Sequence, residues 1–465
     1  MTRRELLQVG GAAVATSARQ KASPWLAPAT QASPFGASPS SQQLAWSKLE
    51  YYNFLHFTVN TFTDREWGNG DEDPAIFNPT AFDADAICET LHSSGSKGVI
   101  LTCKHHDGFC LWPTKTTEHC IRNSPFRNGK GDVVKEISEA ARRHGLKFGV
   151  YLSPWDRNQA SYGTPQYIEL YRSQMRELLT NYGELFEIWH DGANGGSGYY
   201  GGAKETRTID KLHYYDWART WQLERELQPS ACRFSDVGPD IRWVGNEKGI
   251  AGDPCWATFT PHGTKGGEGV PGDVVESELN SGTRFGKYWM PAECDVSIRP
   301  GWFWHPAEDT KVKTPKQLFD LYMASVGRGA SFLLNVPPDS RGLIHQSDTA
   351  ALRDFGKLMR DSFGHPLDES AQVKSLDSAI TKTWSSPVTI SLVRLREDIE
   401  YGQRVGAFTV ECLADNNWIS LGSGTSIGMA RILRPASPIV TAGLRLRVTE
   451  SAAPELISEF SAFGV

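Results

Sequence analysis

Asp191 closes an apolar, β-prone run, GELFEIWHDGAN (183–194), in which Phe186, Ile188 and Trp189 read as a buried strand and His190-Asp191-Gly192 as the start of a loop. A carboxylate at the C-terminal end of a strand is where barrels of alternating strands and helices keep their chemistry. Asp-Gly is also a common turn pair, so the dipeptide alone says only that the chain turns. Other strand ends change that balance. The first candidate strand ends in His56 and is followed by Glu66-Trp67, and the second runs into Lys104, His105, His106 and Asp107. The third carries Tyr151 and ends in Ser153-Pro154-Trp155-Asp156; the sixth carries Arg242 and then Glu247. Glu293 and Asp295 precede the aromatic run RPGWFWH (299–305), which holds Trp302. Singly these residues have plain structural readings, as ion pairs, satisfied histidines or core tryptophans. Converging on one mouth they suit glycoside hydrolysis. One carboxylate attacks or stabilises the anomeric carbon, and a second, kept protonated by its surroundings, donates to the leaving oxygen. Histidines and acids bind ring hydroxyls, and tryptophan packs on the apolar edge of a sugar.

A competing chemistry is metal-dependent hydrolysis on His105, His106 and Asp107, since imidazole and carboxylate suit zinc and iron. Adjacent residues on a strand point to opposite faces, which opposes joint ligation without a sharp bend. No HxH or HExxH spacing is present, so no metal and no cofactor is expected. The phosphate-loop signature GxxxxGK[ST] is missing, and no GxGxxG follows the first strand as a dinucleotide fold would need. A net charge of -6 and no Lys/Arg-rich stripe argue against a nucleic-acid partner.

The elements that must position these residues alternate from about residue 48. YNFLHF, KGVILTC, KFGVYLS, LFEIWH, CRFSD, IRWVGN, YWMPAEC (288–294) and ASFLLNV are the strand candidates, and several are separated by amphipathic helices. Short apolar strands between such helices imply a parallel sheet covered on both faces, here a (β/α)8 barrel with enlarged loops. After Gly364-His365-Pro366 the helical period stops. Runs such as PVTISLVRL (387–395), AFTVECL and LRLRVTE suggest a C-terminal antiparallel β-sandwich. The expected division is an export signal and disordered linker over 1–42, the α/β catalytic barrel over 43–365 and the sandwich over 366–465. Arg3-Arg4 before the mildly apolar GGAAVATSA resembles a twin-arginine signal, which implies an exported, periplasmic or extracellular protein. No later run is apolar enough to span a membrane, and the eight cysteines show no CxxC or zinc spacing, so most read as buried thiols.

At the residues of the mouth the chain resembles a known family. His56 with Glu66-Trp67, CKHHDGFCLWPT (103–114), WHDGAN (189–194), IRWVGNE (241–247), AECDVSIRPGWFWH (292–305) and LLNVPPDSRGLIH (333–345) are similar, in that order, to segments of the retaining α-L-fucosidases of glycoside hydrolase family 29. The resemblance runs from about residue 46 to 364 and implies an exo-acting enzyme that takes fucosylated oligosaccharides. It implies that Asp191 is the nucleophile and that His56, Glu66, His105 and His106 bind fucose hydroxyls. Trp67 and Trp189 would form aromatic walls, Arg242 would lie close to the sugar, and Tyr151 or Trp155 would fill a further aromatic slot. GPDIRWVGNE resembles the branch acting on α-1,3/1,4-linked fucose, in which the glutamate matching Glu247 is the acid/base; Glu293 is the reserve candidate. A retaining pair of carboxyl groups would stand roughly 5–5.5 Å apart. A non-catalytic fucose-binding protein is the remaining alternative, and the presence of both Asp191 and Glu247 argues against it.

Overall fold

Among the residues described by the computed structural model (33–191, 197–376 and 379–464), eight strands close into a parallel barrel. They are β1 (Tyr51–Leu55), β2 (Gly98–Lys104), β3 (Lys147–Leu152), β4 (Glu187–Trp189), β5 (Cys232–Ser235), β6 (Ile241–Trp243), β7 (Ala292–Ser297) and β8 (Ser331–Asn335). Each lies beside its neighbour in sequence, and β8 pairs back onto β1 with Phe54 opposite Asn335. The twin-arginine segment and residues 192–196 of the WHDGAN motif lie outside the described residues.

Helix α1 (Ser41–Ser47) precedes the barrel, and α2 (Ala84–Ser93), α3 (Val133–Arg143), α4 (Pro165–Asn181), α5 (Trp217–Leu227), α6 (Pro315–Ser325) and α7 (Gln346–Phe363) pack around it. Local chemistry explains their limits. In α3 the Asp132 side chain accepts from Lys135 N, Val133, Val134, Ile137, Ala140 and Ala141 form the buried face, and Arg142 and Arg143 occupy the last turn. In α6 Thr314 and Gln317 form a reciprocal cap, with proline at the first position.

The second half of the barrel departs from the regular alternation. Residues 236–240 alone join β5 to β6, with no helix between them. The candidate strand 288–294 is split: Tyr288–Trp289 pairs with Thr258–Phe259 in a separate two-stranded ribbon, and the barrel strand begins at Ala292. The tail of the expected linker is also ordered. Ser40 caps α1, Phe35 N donates to Tyr401 O at 3.0 Å, and Arg404 donates to Ser33 O. A Ser/Pro-rich composition misleads here because contacts with the distant C-terminal domain decide the conformation.

Helix α1 closes the N-terminal mouth. Trp46 Nε1 donates to Glu187 Oε2 at 2.9 Å inside the barrel, and Gln43 donates to Asp240 O and Trp289 O at 2.7 and 2.8 Å. Below the polar mouth the interior is filled by Tyr52, Phe54, Ile100, Tyr151, Trp189, Phe234 and Leu333, as a side-chain-packed barrel requires.

The C-terminal domain holds β9 (Gln372–Leu376), β10 (Ala379–Ile390), β11 (Leu392–Glu397), β12 (Val405–Ala414), β13 (Asn417–Gly424), β14 (Arg431–Leu433), β15 (Ile439–Ser451) and β16 (Ile457–Phe463). A five-stranded sheet, β9-β10-β15-β12-β13, faces a three-stranded sheet, β14-β11-β16. Between them pack Trp384, Leu395, Phe408, Val410, Leu446 and Phe460. The run 387–395 is therefore two strands, switching sheets at Ser391, whose N–H donates to Phe463 O. The domains are tied by Arg396 on Glu50 and by Arg431, bidentate on Asp253 at 2.8 and 2.9 Å. All eight cysteines are buried thiols, and among the described residues no helix is long and apolar enough to cross a membrane.

Candidate active site

Strand alternation selects what faces the barrel axis. In β4, Glu187 and Trp189 point inward, and Asp191 continues the series one step past the strand. Ile188 and His190 point outward, where His190 Nδ1 meets Tyr171 OH at 2.9 Å and Nε2 lies 2.9 Å from Glu224 Oε1. His190 thus anchors the backbone from which Asp191 projects.

The second strand reaches the mouth by a different device. A register shift between Thr102 and Lys104 re-aims the chain. Lys104 turns outward, 3.0 Å from both Asp156 Oδ2 and Gln174 Oε1. His105 and His106 follow in a turn closed by Gly108 N on His105 O, with Gly108 at φ +81° and a Cβ there only 2.4 Å from Asp156 Oδ1. Both imidazoles consequently face the same space, their centroids 4.1 Å apart. The expectation that alternation separates them is wrong, because they lie past the strand. Asp107 does not join them: it accepts from Thr58 Oγ1 and Phe109 N at 2.9 and 2.7 Å. Nitrogen and oxygen donors of His105, His106 and Asp191 instead lie within 4.8 Å of one another.

A cavity of about 450 Å³ opens at the C-terminal ends of the strands. His56, Trp67, His105, His106, Tyr151, Trp189, Asp191, Glu247 and Trp302 line it. Tyr151 OH donates to Asp191 Oδ2 at 2.8 Å, and His106 Nε2 lies 3.4 Å from the same oxygen. Tyr151 stacks on Trp189 at 5.3 Å, and Trp189 on Phe234 at 4.2 Å, so the residue holding Asp191 is set by an aromatic stack. Burial lowers the pKa of all three histidines, His56 to about 4. Neutral rings offer one donor and one acceptor each, the set a sugar hydroxyl needs. Across the cavity Glu247 is exposed at the wall and accepts from Trp302 Nε1 at 3.3 Å. Partial desolvation raises its carboxyl above the usual range, and the charges of Asp191 and Glu66 push the same way. One carboxylate is thus held by donors while the other is biased toward its protonated form.

Four expected site residues lie elsewhere. Arg242 faces away from the cavity, because alternation in β6 turns Ile241 and Trp243 inward; Trp243 reaches the cavity instead. The Arg242 guanidinium donates to Leu279 O and Trp256 O, both at 2.9 Å, and to Met290 O. It pins the long segment between β6 and β7, whose Thr264, Gly272, Asp273, Val274, Glu276 and Leu279 form the outer cavity wall. Lysine cannot satisfy three carbonyls in that fork geometry. Arg242→Lys is expected to cost about 2–3 kcal/mol in urea unfolding; an unchanged midpoint would show that the guanidinium does not hold the segment.

Glu293 lies one layer too deep. It accepts from Trp189 Nε1 at 2.7 Å and from Tyr52 OH, and it bonds Glu187. Burial pushes both carboxyls of this pair under the floor up, Glu293 to about 7. Asp295, two residues on, is the β7 carboxylate that reaches the cavity, bonded by Trp243 Nε1 at 2.8 Å. Glu66 sits at the rim, its oxygens accepting from Trp302 N and Phe303 N at 2.9 and 3.3 Å. Trp155 stands behind His106, ring centroids 4.6 Å apart, so of the two aromatics Tyr151 is the one that lines the cavity.

Sequence reasoning missed several residues. Asn335 is one, its Oδ1 2.9 Å from His56 Nδ1 and its Nδ2 donating to Trp302 O at 2.7 Å. A polar residue ending the apolar strand SFLLN is the signal that was there to use. Asp236, also on the cavity wall, ends the candidate strand CRFSD and carries the same strand-end signal as Asp191, whereas Lys211 carries none.

The chain matches the family model for alpha-L-fucosidase over residues 35–362. It is 42% identical over 455 residues to alpha-L-fucosidase 1 of Arabidopsis thaliana, covering 90% of this chain and 86% of that one. Its fold superposes on a glycoside hydrolase 29 family member from an unknown rumen bacterium with a TM-score of 0.87 at 41% identity, covering 93% of this chain and 78% of that one. It also matches a Ruminococcus gnavus GH29 fucosidase solved in complex with fucose, with a TM-score of 0.80 at 28% identity, covering 93% and 96% of the two chains. With the barrel, the cavity and its facing carboxylates, these likenesses place the chain in glycoside hydrolase family 29, as an alpha-L-fucosidase.

Proposed function

We propose that this enzyme releases terminal α-1,3/1,4-linked L-fucose from branched glycans by double displacement, with Asp191 as nucleophile and Glu247 as acid/base. The observation that carries the reading is the pairing across one cavity of an Asp191 oxygen held by Tyr151 and His106 with a Glu247 whose proton is favoured by partial desolvation. In the first step an Asp191 oxygen bonds to the anomeric carbon while the glycosidic C–O bond breaks, and the Glu247 proton passes to the departing oxygen. In the second, Glu247 takes a proton from water, the water oxygen bonds to the anomeric carbon, and the Asp191 ester breaks. His56, His105 and His106 would bind the fucose hydroxyls, with Trp67, Trp189 and Trp302 as its aromatic surround. The linkage preference rests on the GPDIRWVGNE segment and on the cavity wall beyond Asp191, where Trp243, Asp273 and Glu276 stand where a leaving sugar would lie.

Proton NMR of early product tests the stereochemistry: α-L-fucose should form first, and β-L-fucose first would refute double displacement. Hydrolysis of α-1,3- and α-1,4-fucosylated oligosaccharides should exceed that of the α-1,2-linked isomer by about 100-fold, the scale on which pocket shape separates near-isosteric substrates. A preference for the α-1,2 linkage would overturn the linkage reading alone. The three converging donors make chelation worth running in parallel. EDTA should leave the rate unchanged, and a loss restored by zinc would favour the metal-dependent alternative.

A further inference from the structure

We propose that His305 is a positioning residue for the fucosidase reaction: as an imidazolium shared by Asp64 and Glu66, it fixes the aromatic segment 301–305 that holds Trp302 against Glu247. The inference rests on the reading of Glu247 as acid/base.

Both ring nitrogens of His305 meet carboxylates, Nδ1 at 2.6 Å from Asp64 Oδ1 and Nε2 at 2.7 Å from Glu66 Oε1. A neutral imidazole carries one N–H, so it would turn a lone pair toward one of these oxygens; the imidazolium donates to both. Glu66 is the hub. Its Oε2 accepts from Trp302 N at 2.9 Å, and its Oε1 accepts from Phe303 N at 3.3 Å as well as from His305. The packing leaves no room for a side chain at Gly301, where a Cβ would lie 2.3 Å from Glu66 Oε1 and 2.9 Å from His305 Cδ2. Trp302 then donates to Glu247, while its carbonyl accepts from Asn335.

The other ionisable groups around this segment are largely engaged. Glu308 accepts from Gly301 N at 3.1 Å, and Asp309 binds Arg299 at 2.9 Å and Trp304 Nε1 at 3.0 Å, with His345 3.5 Å away. Burial alone would lower the His305 pKa, but Asp64 and Glu66 raise it on balance. The bridge is therefore intact at low pH and is lost as pH rises through that raised value.

The test is the pH dependence of kcat/KM for an activated aryl α-L-fucoside, whose leaving group needs no proton, so that Glu247's own ionisation drops out and the limb reports the placement of Trp302 on the cavity wall. Asp64→Asn removes one carboxylate from the bridge. It should move the alkaline limb down by about one pH unit and leave the optimum within about twofold of wild type. His305→Gln cannot donate to both oxygens and should abolish that limb, with hydrolysis of branched oligosaccharide falling about tenfold through misplacement of Glu247. An unmoved limb in both variants would overturn the proposal. If either variant folds poorly, NMR titration of His305 in the wild-type enzyme decides: a pKa at or below about 6.5 overturns it, and a higher one supports it. A wrong assignment of Glu247 shows separately, as equal losses on aryl and oligosaccharide substrates in Glu247→Ala.

Discussion

Replacing Asp191 with alanine is expected to cut turnover of every α-L-fucoside by roughly 10⁴–10⁶-fold while the protein still folds. The side chain is 24% exposed and lies past the end of β4, so its removal leaves no buried void in the barrel. Tyr151 and His106 lose an oxygen they both address. Tyr151 remains stacked on Trp189, so the wall of the cavity persists. Added azide supplies the missing nucleophile from the same face and should yield β-L-fucosyl azide from an activated aryl fucoside. Near-normal turnover in the folded variant would remove Asp191 from the chemistry. Rescue that gives only the α-azide would assign it a different step.

Glu247→Ala should separate substrates by their leaving groups. Branched oligosaccharides, whose departing alkoxide needs a proton, should lose about 10²–10⁴-fold in kcat/KM, and aryl fucosides with acidic phenols far less. Azide can then attack the accumulated fucosyl-enzyme and return α-L-fucosyl azide, the opposite anomer to the Asp191 variant. The wild-type pH profile follows from the same environment. Partial desolvation and the neighbouring charges hold the Glu247 carboxyl above the usual range. The acid form therefore survives to higher pH than an ordinary glutamate's would, and oligosaccharide hydrolysis falls as pH rises through that value. A Glu247→Ala variant that loses equally on both substrate classes would remove the proton-donor role. Deep in the barrel and bonded to Glu187 and Trp189, Glu293 is poorly placed to take that role over.

Asp191 is legible in the sequence because β4 is short and apolar and the two-residue period carries Trp189 and Asp191 to the same face. The same rule, applied one strand pair further, would have turned Trp243 rather than Arg242 toward the cavity and separated Glu293 from Asp295 by a layer. His105 and His106 are harder: the register shift before Lys104 depends on pairing with β3, which no local pattern reports. The segment between β6 and β7 is glycine-rich and aperiodic. Its course is set from outside, by Arg242 beneath it and by Gln403 of the sandwich, which accepts from Ala257 N at 2.9 Å. The fold class was readable because hydrophobic periodicity is local. The leaving-group wall was not, because its determinants lie in other parts of the chain.

Among the described residues, helix α1 leaves the barrel a single door. With Trp46 and Gln43 sealing one end and aromatic layers filling the interior, nothing passes through the cavity; it is a cul-de-sac. A sugar that enters deepest must leave last. Under the double displacement proposed above, the trimmed glycan would back out before water finishes the second step, and free fucose would depart only afterward, along the same path. Accumulated fucose should therefore compete directly with incoming chain ends. Segments internal to a glycan, which have no end to insert, are barred by geometry before any hydrogen bond is tested.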